Sequence, residues 1–198
     1  MRWVIRRASA GEDNRAMDME IERPLISREE IETRMAQMAE EITRDYRDRE
    51  LIMVGVLKGA FVFLADLARQ IELPLRIDFV AVSSYGADTK SSGVVKIIKD
   101  LDLEIEGKDV LLVEDIVDTG LTLKYLAGML QERGPASVEV CALLNKPDAR
   151  KVDIEVKYCG FDVPPLFVVG YGLDYAERYR QLPFVGVLKE KEGSGEES

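Results

Sequence analysis

Residues 110–122 read VLLVEDIVDTGLT, and residues 138–144 read VEVCALL. The four leading apolar residues have the length and branching of a fully buried strand, and they deliver Glu114 and Asp115 at its end. Asp118, Thr119, Gly120 and Thr122 then lead into a helical pattern that runs to Arg133, and VEVCALL supplies a second buried strand. Strand, helix and strand at these lengths make a βαβ unit with parallel strands and a right-handed crossover. Open parallel sheets bind ligands beyond the carboxyl ends of their strands, so the loop from Glu114 to Thr122 is where chemistry is expected.

The same alternation extends outward from this unit. LIMVGV (51–56) reads as a strand, followed by Lys58 and Gly59 and then by Phe61, Leu64, Ala65, Ala68 and Ile71 at helical spacing, ending at Pro74. Further strands are expected near 76–82 and 94–98. Between them SSYGADTKSSG (83–93) is polar and glycine-containing, a mobile loop by composition. Apolar runs near 154–159 and 166–169 precede a closing strand at 184–188. Towards the N-terminus, Ser27 and Glu30 form a capping box, and Ile31, Met35, Met38 and Ile42 mark an amphipathic helix to about Tyr46. The expected class is α/β, an open and mostly parallel sheet flanked by helices. Residues 1–23 are polar and unpatterned and read as a mobile arm, residues 24–190 as one domain, and residues 191–198 as a disordered acidic tail.

Composition narrows the chemistry. With 198 residues, 46% hydrophobic and 32% charged, the chain reads as one soluble domain, and no apolar run approaches the ~20 residues of a membrane span. No secretory signal is evident, which sets cytoplasm as the expected compartment. Cys141 and Cys159 read as two reduced thiols. A net charge of −10 argues against nucleic-acid binding, since phosphate backbones are held by basic surfaces. The absence of histidine removes every histidine-based catalytic or metal scheme and leaves acid and base work to Asp, Glu, Lys or Tyr.

Gly120 allows a tight turn, the free amides at a helix start favour an anion, and the Thr119 and Thr122 hydroxyls can donate to phosphate oxygens. The lysine of a Walker loop is absent. Three carboxylates beside a phosphate need donors or a cation, and a ribose diol together with Mg2+ meets that need. An isolated D-T-G would read as an ordinary helix cap.

The whole of residues 110–122 resembles the phosphoribosyl-diphosphate signature of the type I phosphoribosyltransferases: four apolar residues, two acids, two apolar residues, then D-T-G-x-T. From about Ile26 to Glu190 the chain is similar to the hypoxanthine-guanine branch of that family, through GVLKGAFVFLADL (55–67), SSYG, LLNKP and FVVGYGLDYAERYRQLP. The resemblance implies a type I phosphoribosyltransferase-like fold with a small base-binding hood. It implies that Glu114 and Asp115 hold ribose hydroxyls and organise magnesium, with Asp174 as a second metal carboxylate beside the base. Asp118, Thr119, Gly120, Leu121 and Thr122 would hold the 5′-phosphate, with Asp118 exchanging a proton at purine N7. Lys58, Gly59, Ser84, Tyr85 and Arg180 would meet the diphosphate, with a cis peptide before Lys58 and a lid headed by Ser84 and Tyr85. Lys146 would face the 6-oxo group, Phe167 would stack on the base, and Val168 would contact its edge. The implied substrates are 5-phosphoribosyl 1-diphosphate and hypoxanthine or guanine, giving IMP or GMP, in a homodimer or homotetramer.

Two other readings compete. A nucleotide-sensing regulator on the same fold is disfavoured by the complete set of base-side residues, Lys146, Phe167 and Asp174. A receiver-like phosphoacceptor domain would also carry acids at strand ends, but it leaves D-T-G-L-T unexplained.

Overall fold

The Ser27 hydroxyl accepts the Glu30 amide while the Glu30 carboxylate accepts the Ser27 amide, and this reciprocal cap starts helix α1 (Arg28–Asp45). Ile31, Met35, Met38 and Ile42 line its buried face, as their spacing predicts. The structure is a computed structural model describing residues 19–84 and 95–190. Its remaining elements are β1 (Met19–Ile26), β2 (Leu51–Leu57), α2 (Phe61–Ala68), β3 (Leu75–Ser84), β4 (Val95–Lys99), β5 (Asp109–Val117), α3 (Leu121–Gln131), β6 (Ser137–Asn145), β7 (Tyr158–Asp162), β8 (Val168–Val169) and β9 (Val185–Glu190).

The main sheet has the order β4-β3-β2-β5-β6-β7, with every pairing parallel except the antiparallel edge strand β4. Both faces of its central strands are covered, which is why those strands read as continuous apolar runs. Met53, Leu111, Val113 and Leu143 pack under α1 and α2. Ile52, Val54, Val110, Leu112 and Val140 pack under α3, which contributes Leu123, Leu126 and Leu130. A separate three-stranded antiparallel sheet, β1-β9-β8, forms the hood and brings the two ends of the described chain together. Cys141 and Cys159 are both free. Among the described residues no helix is long and apolar enough to cross a membrane.

Three expectations shift. Residues 19–23, expected to belong to the arm, lie in β1 and pair with β9. The strand escaped notice because Glu22 and Arg23 stand side by side before Pro24 on an edge strand with two register irregularities, which blur the period-two pattern. The strand expected near 154–159 is β7 at Tyr158–Asp162, while Ile154 and Val156 are partly buried side chains packed on the α3 side. Strand β5 continues through Val117, so Glu114 and Asp115 belong to the strand itself. Residues 1–18, most of the expected lid, and the tail at 191–198 lie outside the described residues.

Candidate active site

Parallel pairing aligns the carboxyl ends of β2 and β5, and a cleft of about 300 Å³ opens there. Its wall includes Gly59, Glu114, Asp115, Asp118, Thr119, Gly120 and Thr122. Gly120 sits at φ 79 as the N-cap of α3 and offers no side-chain cap, so the Thr122 and Leu123 amides keep their hydrogen-bonding capacity unspent among the described residues. Such amides, with the positive end of the helix dipole, make an anion site. Leu121 starts the helix and is exposed, and the Thr119 hydroxyl accepts the Leu121 amide at 3.5 Å.

Glu114 and Asp115 form the floor. Asp115 accepts the Ile116 amide at 2.8 Å, and neither carboxylate has an ion-pair partner among the described residues. Burial pushes the Glu114 carboxyl well above its ordinary range, and the neighbouring Asp115 charge adds to the effect. Burial likewise raises Asp115, to about 6. Two desolvated carboxylates facing a cleft without a cation are fitted to hydroxyl donors and to an oxygen-seeking divalent ion. No three carboxylates or thiols among the described residues cluster in metal-ligating geometry. That arrangement suits Mg2+, which is commonly held by one or two carboxylates with the remaining ligands from substrate oxygens and water.

The Leu57–Lys58 peptide is cis, at the position the family resemblance implies. Gly59 follows, and a Cβ built on it would stand 1.7 Å from Asp115 Oδ2, so only glycine lets this loop lie on the floor carboxylate. A Cβ built on Gly172, at φ 102, would in turn meet the Gly59 carbonyl at 2.1 Å. Gly172 thus presses the segment from the hood against the Lys58–Gly59 turn. That segment is held unusually: Tyr171, Ala176, Glu177 and Tyr179 are all non-glycine residues at positive φ. Arg180 fixes it, donating to the Gly172 carbonyl at 2.8 Å and pairing with Asp174 at 2.8 Å. Tyr171 ties it to α2 through a 2.8 Å bond to Asp66.

On the opposite side, Lys146 follows β6 and is buried, with Nζ 3.4 Å from Asp118 Oδ2. Its amide donates to the Val117 carbonyl at 2.9 Å, which locks the two strand ends together. Phe167 is half exposed and meets Tyr175 edge-on with ring centroids 5.6 Å apart, and Val168 is buried in β8. Ser84 ends β3 opposite Val95, and Tyr85 lies outside the described residues.

Three residues that the sequence reading passed over belong to this neighbourhood. Gly172 is legible only through its contact with Gly59, more than a hundred positions away. Glu177 bonds Lys58 at 3.0 Å. Arg150 lies behind Gly120 with Nη1 buried and unpartnered, its Nη2 bonded to Asn145, while the next amide donates to the Thr119 carbonyl at 3.0 Å. No local pattern announces an arginine packed beneath a loop.

An anion cradle at the carboxyl edge of a parallel sheet, floored by two acids and abutted at Gly59 by the segment that leaves a small second sheet, defines a class, and the chain belongs to the phosphoribosyl transferase domain family, whose model matches residues 27–176. Among curated relatives it is 53% identical over 173 residues to the hypoxanthine-guanine phosphoribosyltransferase of Bacillus subtilis, covering 87% of this chain and 96% of that protein. It is 51% identical over 171 residues to the enzyme of that name in Dictyostelium discoideum, covering 84% and 95%. The crystal structure of a hypoxanthine phosphoribosyltransferase from Staphylococcus aureus superposes with a TM-score of 0.83 at 48% identity, covering 90% of this chain and 97% of that one. The particular branch is therefore that of the hypoxanthine-guanine phosphoribosyltransferases.

Proposed function

We propose that this chain transfers the phosphoribosyl group of 5-phosphoribosyl 1-diphosphate to hypoxanthine, guanine or both, releasing diphosphate and IMP or GMP. The observation that carries the reading is the facing pair at the ends of β5 and β6, a buried Lys146 ammonium 3.4 Å from the Asp118 carboxylate, beside the uncapped start of α3. An ammonium has three donors and no acceptor, so it suits a carbonyl oxygen on the purine and meets only another donor in the amine of adenine. Asp118 suits the adjacent ring nitrogen. Purine N9 forms its bond to ribose C1′ as the bond from C1′ to the diphosphate oxygen breaks, and the N7 proton passes to Asp118.

The rest of the site positions and neutralises. The α3 amides with Thr119 and Thr122 receive the 5′-phosphate, Glu114 and Asp115 accept from the ribose hydroxyls, and Lys58, Gly59, Ser84, Tyr85 and Arg180 receive the diphosphate. Phe167 and Val168 bound the base. Glu114 and Asp115 on the floor and, apart from them, Asp174 beside the base are the residues that would hold Mg2+, which when bound would supply charge stabilisation to the departing diphosphate. A homodimer or homotetramer in the cytoplasm belongs to the same reading.

The test is kcat/KM for hypoxanthine, guanine and adenine with the phosphoribosyl donor and magnesium, in wild type and Lys146→Ala. Wild type is expected to reject adenine, since a site built around one hydrogen bond discriminates by ~10⁴ to 10⁵ against a ligand that leaves the buried partner unpaired. Lys146→Ala should lower the oxopurine values and narrow the gap to adenine. A wild-type preference for adenine, or unchanged discrimination in the variant, overturns the 6-oxopurine assignment.

A further inference from the structure

Reading Lys58 and Arg180 as diphosphate ligands leaves Glu177 between them without a role. One carboxylate oxygen, Glu177 Oε2, lies 3.0 Å from Lys58 Nζ and 3.4 Å from Arg180 Nη2. A single anionic oxygen shared by two cations is what a phosphoryl oxygen would provide there. The Glu177 amide donates to Asp174 Oδ2 at 2.9 Å, which fixes the backbone at φ 58 and aims the side chain at both cations. The hydrogen bond from Lys58, with its charge and that of Arg180, holds the Glu177 carboxyl below its ordinary range.

We propose that Glu177 is an internal stand-in for diphosphate, a carboxylate that neutralises Lys58 and Arg180 in the free protein and is displaced when the diphosphate of the donor arrives. This rests on the phosphoribosyl-transfer reading above and deepens it by giving the diphosphate subsite a built-in competitor. The two partners of Arg180 differ in a way that decides which one leaves. The Arg180–Asp174 pair is 19% and 29% exposed at 2.8 Å, whereas the Glu177 side chain is 65% exposed and Lys58 67%. Exposed pairs are weak and screened, so exchanging Glu177 for a multiply charged ligand is cheap, while Asp174 keeps Arg180 in place. A cavity of about 530 Å³ bordered by Glu177, Arg28, Phe61 and Arg180 gives the displaced side chain somewhere to go. The device lowers affinity for diphosphate at entry and, equally, eases its release as product.

The experiment measures, on the full chain, the Kd of diphosphate with magnesium and the KM and kcat for the phosphoribosyl donor in wild type and Glu177→Gln. Gln keeps the shape and loses the charge. The expected result is Kd and KM lower by roughly twofold to fivefold with no rise in kcat, the gap narrowing in high salt, as the loss of one exposed competing charge predicts. Equal or weaker diphosphate binding by Glu177→Gln overturns the proposal. A crystal structure of wild type with diphosphate bound gives a second measurement independent of any variant. Glu177 beyond ion-pair distance of Lys58 supports displacement, and Glu177 still bonded to Lys58 sinks it. A wild type with neither transfer activity nor diphosphate binding removes the underlying reading as well, whereas an active wild type with an unchanged variant removes this inference alone.

Discussion

The two sides of the cleft are built in opposite ways. The side proposed to take the phosphate is one continuous stretch, β5, the turn at Gly120 and α3, whose amides, carboxylates and hydroxyls take their positions from one strand end and the helix start that follows it. The side proposed to take the base and diphosphate is assembled from Lys58, Lys146 and residues 167–180, drawn from distant parts of the chain and held by ion pairs, a glycine contact and several left-handed residues. Main-chain geometry cannot be exchanged for a ligand, but side-chain pairs can. On the proposed function the first region is a fixed cradle, and the second offers groups whose partners in the free protein stand where substrate atoms would lie.

Breaking the first region should cost rate. Asp118→Asn keeps the loop geometry and loses the proton site, so kcat should fall ~10² to 10⁴ while nucleotide affinity changes little. Steady-state kinetics beside GMP titration check this, and near-wild-type turnover removes Asp118 from the proton transfer. Breaking the second region should cost assembly instead. Gly172→Ala places a Cβ 2.1 Å from the Gly59 carbonyl at a φ of 102, so both partners are backbone and neither can yield cheaply. A loss on the order of 2 to 4 kcal/mol in unfolding free energy is expected, with weaker diphosphate binding. An unaltered urea midpoint shows that the hood segment does not bear on the Lys58–Gly59 turn.

The same contrast decides what was legible in the sequence. The capping box at Ser27 and Glu30, the buried strands and the 110–122 loop depend on neighbours a few positions apart, and they fold as read. Strand β1 depends on pairing with β9, some 165 positions later, and Glu20, Glu22, Arg23 and Pro24 interrupt its apolar residues. Glu177 looks like one more surface acid until the left-handed turn at Ala176 and Glu177 brings it to Lys58. Arg150 follows a short 3-10 turn at Pro147–Ala149, and only the tertiary fold sets its guanidinium beneath Gly120. Side chains whose role is set by chain-distant contacts carry no period to detect.

Asp115 sharpens the comparison through pH. Burial raises its folded-state pKa to about 6, above the ordinary value of 3.8. The folded state then holds a proton that the unfolded chain has released between these values, so this contribution to stability is complete below about pH 4 and lost as pH rises through 6. Asp115→Asn is free of that loss. Its Tm should match wild type near pH 4 and exceed it by ~2 to 6 °C at pH 7.5, while activity falls. A Tm gap that does not grow with pH contradicts the desolvation of this carboxylate.

The smallest effect separates the cradle from the helix that carries it. Gly128 lies in α3, eight residues beyond Gly120, and a Cβ built there meets nothing within 4 Å. Its freedom therefore serves no turn or close approach, and a glycine inside a helix costs conformational entropy relative to alanine. Gly128→Ala should stabilise the protein by ~0.5 to 1 kcal/mol, a rise of about 1 to 4 °C in Tm, because the unfolded chain loses freedom that the folded helix never used. Gly120→Ala, one end of the same helix away, should do the reverse, since φ there is 79 and its Cβ would press on Arg150 and Ile154 at 3.0 to 3.1 Å. Donor KM should be unchanged in the first variant and raised in the second. If Gly128→Ala weakens donor binding as much as Gly120→Ala does, the anion site reaches further along α3 than its first turn.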